Sequence, residues 1–313
     1  MPSMEQVTDT ILMIRPAAFS FNKETATNNI FQNEVEDVAG SVQQKALHQF
    51  DKMVDQLREK EINVIIVNDD KSIPRPDAVF PNNWFTASHD GGLHIFSMFA
   101  PNRRTEKRAD LADLLQLNFE VEYVKDWSFL EQENAFLEGT GSMVMDHQSR
   151  IIYACLSERT NLQALEQFAE AMGYRVMPFT AEYKEQAIYH TNVMLSIGDG
   201  FAVLCPKVIT DHTERVAVAQ LLEATGHENI YVEPEHMKAF ACNLLQVKNM
   251  KGKKFIVASK SAIDVLPNEK TERLRAYGEL IIVDVSTIES VNGGSVRCMM
   301  AEIFLKKKNQ ADT

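Results

Sequence analysis

Cysteine is scarce in this chain: four residues in 313, at positions 155, 205, 242 and 298, with no C-x-x-C pair. So sparse a set cannot staple a disulfide scaffold, and it lacks zinc-ligand spacing. Basic charge is also short. Lysine and arginine number 32 against 44 aspartates and glutamates, a formal charge of −12, which disfavours nucleic acid and anionic membrane as partners. No apolar run reaches the roughly 18 residues that a membrane helix needs. The opening MPSMEQVTDTILMIRP has acids and no basic patch ahead of its short apolar stretch, unlike a secretory signal. Missing too are a GxGxxG after a strand, a Walker motif and an HExxH, so no cofactor and no metal is implied. What remains, 45% hydrophobic and 24% charged residues, is the composition of a folded, reduced, cytoplasmic protein rather than a disordered one.

Repetition is what the chain has in quantity, and it is sought before motifs. From Ala78 to Phe99 the text reads as two strands around an Asp90-Gly91-Gly92 turn, a hairpin signal. The helix RRTEKRADLADLLQL and the strand FEVEYV follow. A second unit runs SMVMDHQSRIIYACL, then helix NLQALEQFAEAMG, stopped at Gly173 as a C-cap stops a helix, then strand YRVMPF. The third is NVMLSIGDGFAVLC, ERVAVAQLLEATG and NIYVEP; the fourth is ACNLLQVKNMKGKKFIVAS, a helical segment to Tyr277, and ELIIVDV. The leftover pieces make a fifth unit only if the ends join. SVRCMMAEIFL and TILMIRP would form its hairpin, SVQQKALHQFDKMVDQLREKE its helix, with Leu47, Phe50, Met53 and Leu57 on one face, and INVIIVN its last strand. The pattern predicts an α/β fold: one domain over residues 1–313, a closed ring of five ββαβ units, with 306–313 as a solvated tail. The competing reading is an α/β protein whose hairpins and helices are unrelated.

In a ring, equivalent positions of every unit point to one place. The polar residues at the start of each first hairpin strand are therefore the candidates. They are Asp77, Asn82 and Asn83 in unit one, Glu138 in unit two, His190 and Asn192 in unit three, Asn243 in unit four and Cys298 in unit five. Ring closure would gather a thiol, an imidazole, a carboxylate and several amides, which is what a cysteine nucleophile with a histidine partner requires. Cysteine is among the most buried residue types, so Cys155, Cys205 and Cys242 are expected to be inert core. Cys298 differs because Asn292-Gly293-Gly294 precede it, and glycine permits close approach of backbone and ligand. Glu138 sits between an apolar stretch and glycines, where a carboxylate is either buried with a partner or exposed in a turn.

At these residues the sequence resembles the guanidino-group-modifying superfamily, which includes arginine deiminases, dimethylarginine hydrolases and amidinotransferases. The resemblance runs from ILMIRP to AEIFL and rests on PDAVF with its following aromatic strand, LEGTG, LSERTN, the His-x-Asn at 190–192 and NGGSVRC. It implies a five-bladed α/β propeller (pentein) with pseudo-fivefold symmetry. It further implies Cys298 as nucleophile, His190 as general acid/base, and Glu138 and Asp77 as acids gripping the substrate. Arg159 of LSERTN matches a family arginine that clamps the substrate carboxylate, and Arg103 or Arg104 is the candidate for a second.

The departures from that family are informative. Where the deiminases typically carry carboxylates, this chain has the neutral amides Asn83 and Asn192. A guanidinium is cationic and only donates hydrogen bonds, so its site needs acceptors and negative charge. A ureido group is neutral and has a carbonyl acceptor, which an asparagine can serve; surplus buried carboxylates beside it would be costly. The sequence most resembles the bacterial citrulline-utilisation hydrolases of this superfamily, which implies release of ornithine, CO2 and ammonia through a covalent cysteine intermediate. A neutral substrate cannot lower the thiol's pKa, so the protein must hold the thiolate itself, most simply as a Cys298–His190 ion pair. The rival enzyme reading is hydrolysis or deimination of arginine or methylated arginine. The rival from another class is a non-catalytic propeller that only binds. A papain-like protease is disfavoured because its cysteine precedes its histidine. The expected partner is a small amino-acid substrate, and self-association into a homo-oligomer is compatible with the sequence.

Overall fold

Apolar pairs of strands separated by tight turns produce the same small sheet five times over. In the computed structural model, residues 4–34 and 40–308 are described. Blade one contains Phe85–Ala87, Gly92–Ile95 and Tyr123–Asp126; blade two contains Val144–Asp146, Ile151–Cys155 and Arg175–Phe179. Blade three contains Leu195–Gly198, Phe201–Leu204 and Glu228–Tyr231, and blade four Leu245–Lys248, Lys254–Ser259 and Glu279–Val283. In each, the first strand is antiparallel to the second and the second is parallel to the third. Blade five is assembled from both ends: Leu12 of Thr10–Arg15 lies opposite Ala301 on one side and Ile65 of Asn63–Asn68 on the other. The first strands stand side by side around the axis, blade two against three, three against four, and five against one.

A parallel return needs a crossover, and each blade has a helical one. The segments are Leu111–Gln116, Leu162–Met172, His212–Ala224, the pair Lys260–Val265 and Asn268–Arg275, and Ser41–Glu59. Their ends follow local chemistry. Asn161, Asp211 and Ser259 each accept a backbone N–H of the first turn, an N-cap that typically contributes about 1 kcal/mol. Gly173 ends its helix in the left-handed conformation, φ 68°. The blade-five helix buries Val42, Ala46, Phe50, Met53, Val54 and Leu57. Leu47, expected on that stripe, is only half-buried because the stripe is centred one position away.

Several elements differ from the sequence expectation. The blade-one hairpin begins at Phe85, not Ala78, because Pro81–Asn83 forms a tight helical turn. Its helix keeps six residues, since Pro101–Glu106 also winds into a tight turn before Asp110. Its third strand lies at 123–126, later than FEVEYV. The periodicity gave no hint of the Glu182–Tyr183 and Gln186–Ala187 hairpin or of helix Ser286–Asn292. The start of the tail is not free in solvent: Lys306 pairs with Glu120, Lys307 with Asp9, and Lys308 donates to the Gln116 carbonyl. Residues 309–313 lie outside the described residues. Among the described residues, no helix is long and apolar enough to cross a membrane.

Candidate active site

The stretch of chain that enters each blade's first strand ends on the same face of the ring, and those stretches carry the polar residues. They sit in the turns ahead of the strands, not on the strands: Asn82 and Asn83 in Pro81–Asn83, Glu138 capping Gly139–Ser142, and Asn192 in Thr191–Val193. A turn frees side chains from the pleat and lets them reach the axis. One polar bond crosses every blade boundary there. Asn82 Nδ2 donates to Thr140 Oγ1 (3.2 Å), Thr191 Oγ1 to the Ser142 carbonyl (2.5 Å), and Asn243 Nδ2 to the Asn192 carbonyl (3.0 Å). The Arg297 N–H donates to Asn243 Oδ1 (3.1 Å), and Asn292 Nδ2 to Asp77 Oδ1 (2.6 Å), which closes the circle.

Within this circle lies a narrow cleft of about 280 Å³, lined among others by Asp77, Asn83, Arg103, Arg159, His190 and Cys298. The Cys298 sulfur has two amide neighbours, Asn243 Nδ2 at 3.3 Å and Asn192 Nδ2 at 3.5 Å. Both touch it without lining the cleft. Asn243 cannot turn over, because its Oδ1 already accepts the Arg297 N–H. Gly294 is required next to the sulfur: a Cβ there would lie 2.7 Å from the Phe80 ring.

His190 is tied to a different group. Its Nε2 lies 2.7 Å from Glu138 Oε2. The other carboxylate oxygen accepts the Phe99 N–H (2.9 Å), and Arg159 Nη1 stands 3.6 Å from Oε2. Burial alone would raise the Glu138 pKa; Arg159, the His190 bond and Arg103 outweigh it and hold it down to about 2. Burial pushes His190 down to about 4 despite Glu138. The pair is therefore an ionised carboxylate and a neutral imidazole. A carboxylate only accepts, so Nε2 carries the proton and Nδ1 keeps the lone pair. Gly141 backs this ring, since a Cβ there would meet His190 Nδ1 at 2.8 Å and Asn83 Nδ2 at 2.5 Å. The expected Cys298–His190 ion pair is corrected accordingly. The imidazole is uncharged, its proton faces Glu138, and the groups bonded to the sulfur are amides.

The two cleft arginines have unlike partners. Arg103 is paired in a fork with Glu106, Nε and Nη2 each 2.9 Å from a carboxylate oxygen, and donates to Asn83 Oδ1 (2.9 Å). Arg159 lies 4.6 Å over the Tyr189 ring and donates to the Thr25 carbonyl and to Asn28 Oδ1. Asp77 accepts from Asn22, Thr25 and Asn292. Two sequence candidates stand apart from the cleft. Arg104 donates to the Met98 and Phe99 carbonyls and covers Phe136, and Asn82 is fully buried against Thr140. The remaining thiols are core: burial pushes Cys155 and Cys205 up to about 12 and raises Cys242 as well.

Sequence reasoning missed the segment from Asn22 to Asn29, which contributes Thr25 and Asn29 to the cleft and bonds Asp77 and Arg159. Its only signal is a crowding of asparagines in TATNNIFQN, a polar loop composition with no period. Tyr189 and Asn292 were adjacent to residues already chosen.

Five ββαβ blades with a cysteine, a histidine and a glutamate gathered at the axis define a propeller of the guanidino-group-modifying superfamily. Residues 15–305 match the family model described as N,N-dimethylarginine dimethylhydrolase, eukaryotic, and the chain belongs to that family. The description of that family names a hydrolase acting on a carbon–nitrogen bond. Among solved structures, apo ArgZ, an arginine dihydrolase from the ornithine–ammonia cycle in cyanobacteria, is similar with a TM-score of 0.73 at 18% identity. That match covers 93% of this chain and 40% of that one, so this chain spans about two fifths of the dihydrolase. The N-terminal domain of ArgZ bound to substrate gives 0.73 at 18% identity, covering 95% of this chain and 99% of that one. A dimethylarginine dimethylaminohydrolase adduct with 4-chloro-2-hydroxymethylpyridine gives 0.64 at 16% identity, covering 94% and 99%. No curated protein sequence matches the chain.

Proposed function

We propose that this protein hydrolyses the ureido group of citrulline, giving ornithine, CO2 and ammonia. One observation carries the reading: among the described residues, the carboxylates at the cleft, Glu106, Glu138 and Asp77, are already engaged. Glu106 is forked by Arg103, Glu138 holds His190 and the Phe99 N–H, and Asp77 accepts from three side chains. Two buried guanidiniums, Arg103 and Arg159, stand among them. A third, belonging to a substrate, would need an unengaged anion; a neutral ureido tip does not. The amino-acid end fits the same inventory. Arg159 is bonded chiefly to neutral acceptors, which a substrate carboxylate outcompetes, while Arg103 is already matched by a carboxylate.

The chemistry follows from the assigned proton positions. Neutral His190 takes the thiol proton on Nδ1 as the Cys298 sulfur attacks the ureido carbon, and Glu138 stabilises the imidazolium that forms. The Asn192 and Asn243 amides solvate the sulfur while it is anionic. Collapse of the tetrahedral adduct breaks a C–N bond, with the proton returned from His190 to the departing nitrogen. Water, deprotonated by the same ring, then releases the carbon from sulfur as a carbamate, whose remaining C–N bond breaks to give CO2 and the second amine. The balance is citrulline plus water to ornithine, CO2 and ammonia.

The family match favours a second reading, hydrolysis of arginine or a methylated arginine. Ornithine and ammonia release from citrulline, arginine and dimethylarginine, assayed side by side on purified protein, decides between them. The expected result is a kcat/KM for citrulline at least about tenfold above the others. Preference for a guanidino substrate would overturn the proposal.

A further inference from the structure

Arg103 was expected to clamp the substrate's carboxylate, yet its surroundings suit it to another task. It is buried with its fork filled by Glu106, and its remaining Nη1 donates to Asn83 Oδ1 at 2.9 Å. A guanidinium offers only N–H donors, so the atom facing it must be an acceptor. That contact removes the ambiguity of the Asn83 amide: Oδ1 is turned to Arg103, and Nδ2 is turned away from it. Asn83 lines the cleft beside His190 and Cys298, and its Nδ2 is buried with no hydrogen-bond partner among the described residues. A buried donor left unpaired is uncommon and calls for an acceptor.

We infer that Arg103, its fork held by Glu106, is a positioning residue that sets substrate specificity by locking Asn83 with its N–H2 toward the reacting head group. The inference rests on the ureido reading above and deepens it. A head group with a carbonyl oxygen satisfies Asn83 Nδ2 and gains a donor where negative charge develops on that oxygen during attack. An all-donor guanidinium meets N–H with N–H and is refused. The specificity is thus written in the amide's orientation, one residue removed from the arginine that imposes it.

The test uses the citrulline-to-arginine ratio of kcat/KM in four proteins: wild type, Arg103→Lys, Asn83→Asp, and the double variant Arg103→Met/Glu106→Gln. The double variant removes both buried charges together, so neither is stranded, and a thermal melt verifies that it folds. Release of Asn83 from Arg103 lets the amide turn over, and the ratio is expected to fall by roughly a hundredfold, mainly through the KM for citrulline. Lysine, which keeps a cationic donor, is expected to restore most of the ratio. Asn83→Asp is expected to move it further toward arginine. A purely structural role for Arg103 would lower both activities alike; a folded double variant with an unchanged ratio therefore overturns this inference and leaves the proposed function standing. Wild-type preference for arginine overturns both and is visible before any variant is made.

Discussion

The two sides of the cleft hold their reactive atoms by opposite means. Blades three and four place neutral amides, Asn192 and Asn243, on the Cys298 sulfur. Blade two places a carboxylate, Glu138, on the His190 ring, and Arg159 helps keep that carboxylate ionised. Dipoles stabilise a thiolate whenever it forms without fixing a countercharge beforehand. A charge network instead fixes which ring nitrogen is basic. The difference teaches that the sulfur is held by dipoles alone, whereas the imidazole is held in one orientation by an acid. A resting ion pair would require the ring to be charged, and burial opposes that.

The largest effect should come from the sulfur itself. Cys298→Ala is expected to lower kcat by roughly 10⁴-fold or more, whereas Cys205→Ala, in the blade core, should leave kcat within about threefold while lowering stability. Comparable losses from both would erase the distinction between axis and core thiols. Glu138→Gln comes next, at roughly 10²- to 10³-fold in kcat, because the imidazolium loses its anion and Arg159 its nearest carboxylate. Asn243→Ala should cost about 10- to 100-fold, one charge-assisted hydrogen bond with Asn192 still in place. If the amide mattered as much as the carboxylate, the contrast drawn above would fail. The pH profile sharpens it further. His190 must be neutral to act as base, so the acid limb of kcat/KM for wild type should fall near 4 rather than near 6.5. A limb near 6.5 would mean that the ring is solvated and charged more easily than its burial implies.

Much of this was legible in the sequence because the blade is a periodic object. Turns at Gly91, Gly173 and Gly200 punctuate alternating strands and amphipathic helices, and the closure of the ring followed from the unmatched pieces at the two ends. The thiol, the imidazole, Glu138 and Asn83 could be found by aligning equivalent positions in the repeat. What could not be found lies outside the repeat. The Asn22–Asn29 segment has no period to betray it, and it supplies bonds to both Asp77 and Arg159. The partners of Arg103 were equally hidden. Nothing in RRTEK distinguishes an arginine that will meet a substrate from one that will meet Glu106, since that depends on the tight turn 101–106 folding the two together. Arg104, its neighbour, is carried by the same turn to main-chain carbonyls and the face of Phe136.

A smaller effect distinguishes His190 from another buried histidine and bears on stability rather than turnover. Among the described residues, His147 has no carboxylate partner. Its Nδ1 meets the Tyr174 hydroxyl at 2.8 Å, in a separate cavity lined by Phe85, Met145, Phe168 and Phe304. Burial, with His89 and Arg297 nearby, pushes its pKa down to about 3. The unfolded chain takes up this proton from about 6.5 downward and the folded one does not, so more protons are bound in the unfolded state across that window. Stability therefore rises with pH and is lost as pH falls below about 6.5, by about 2 kcal/mol at pH 5 from this one residue. His94, pushed down to about 4 by burial, adds to the same slope. The check is the denaturant midpoint at pH 7 and pH 5 for wild type and His147→Gln. The variant should be less stable at pH 7 through lost packing, yet lose less on going to pH 5, with kcat on citrulline at pH 7 changed by no more than about twofold. An equal acid loss in both proteins would show that His147 is hydrated enough to charge in place, and would assign the slope to His94 and to the His190–Glu138 pair.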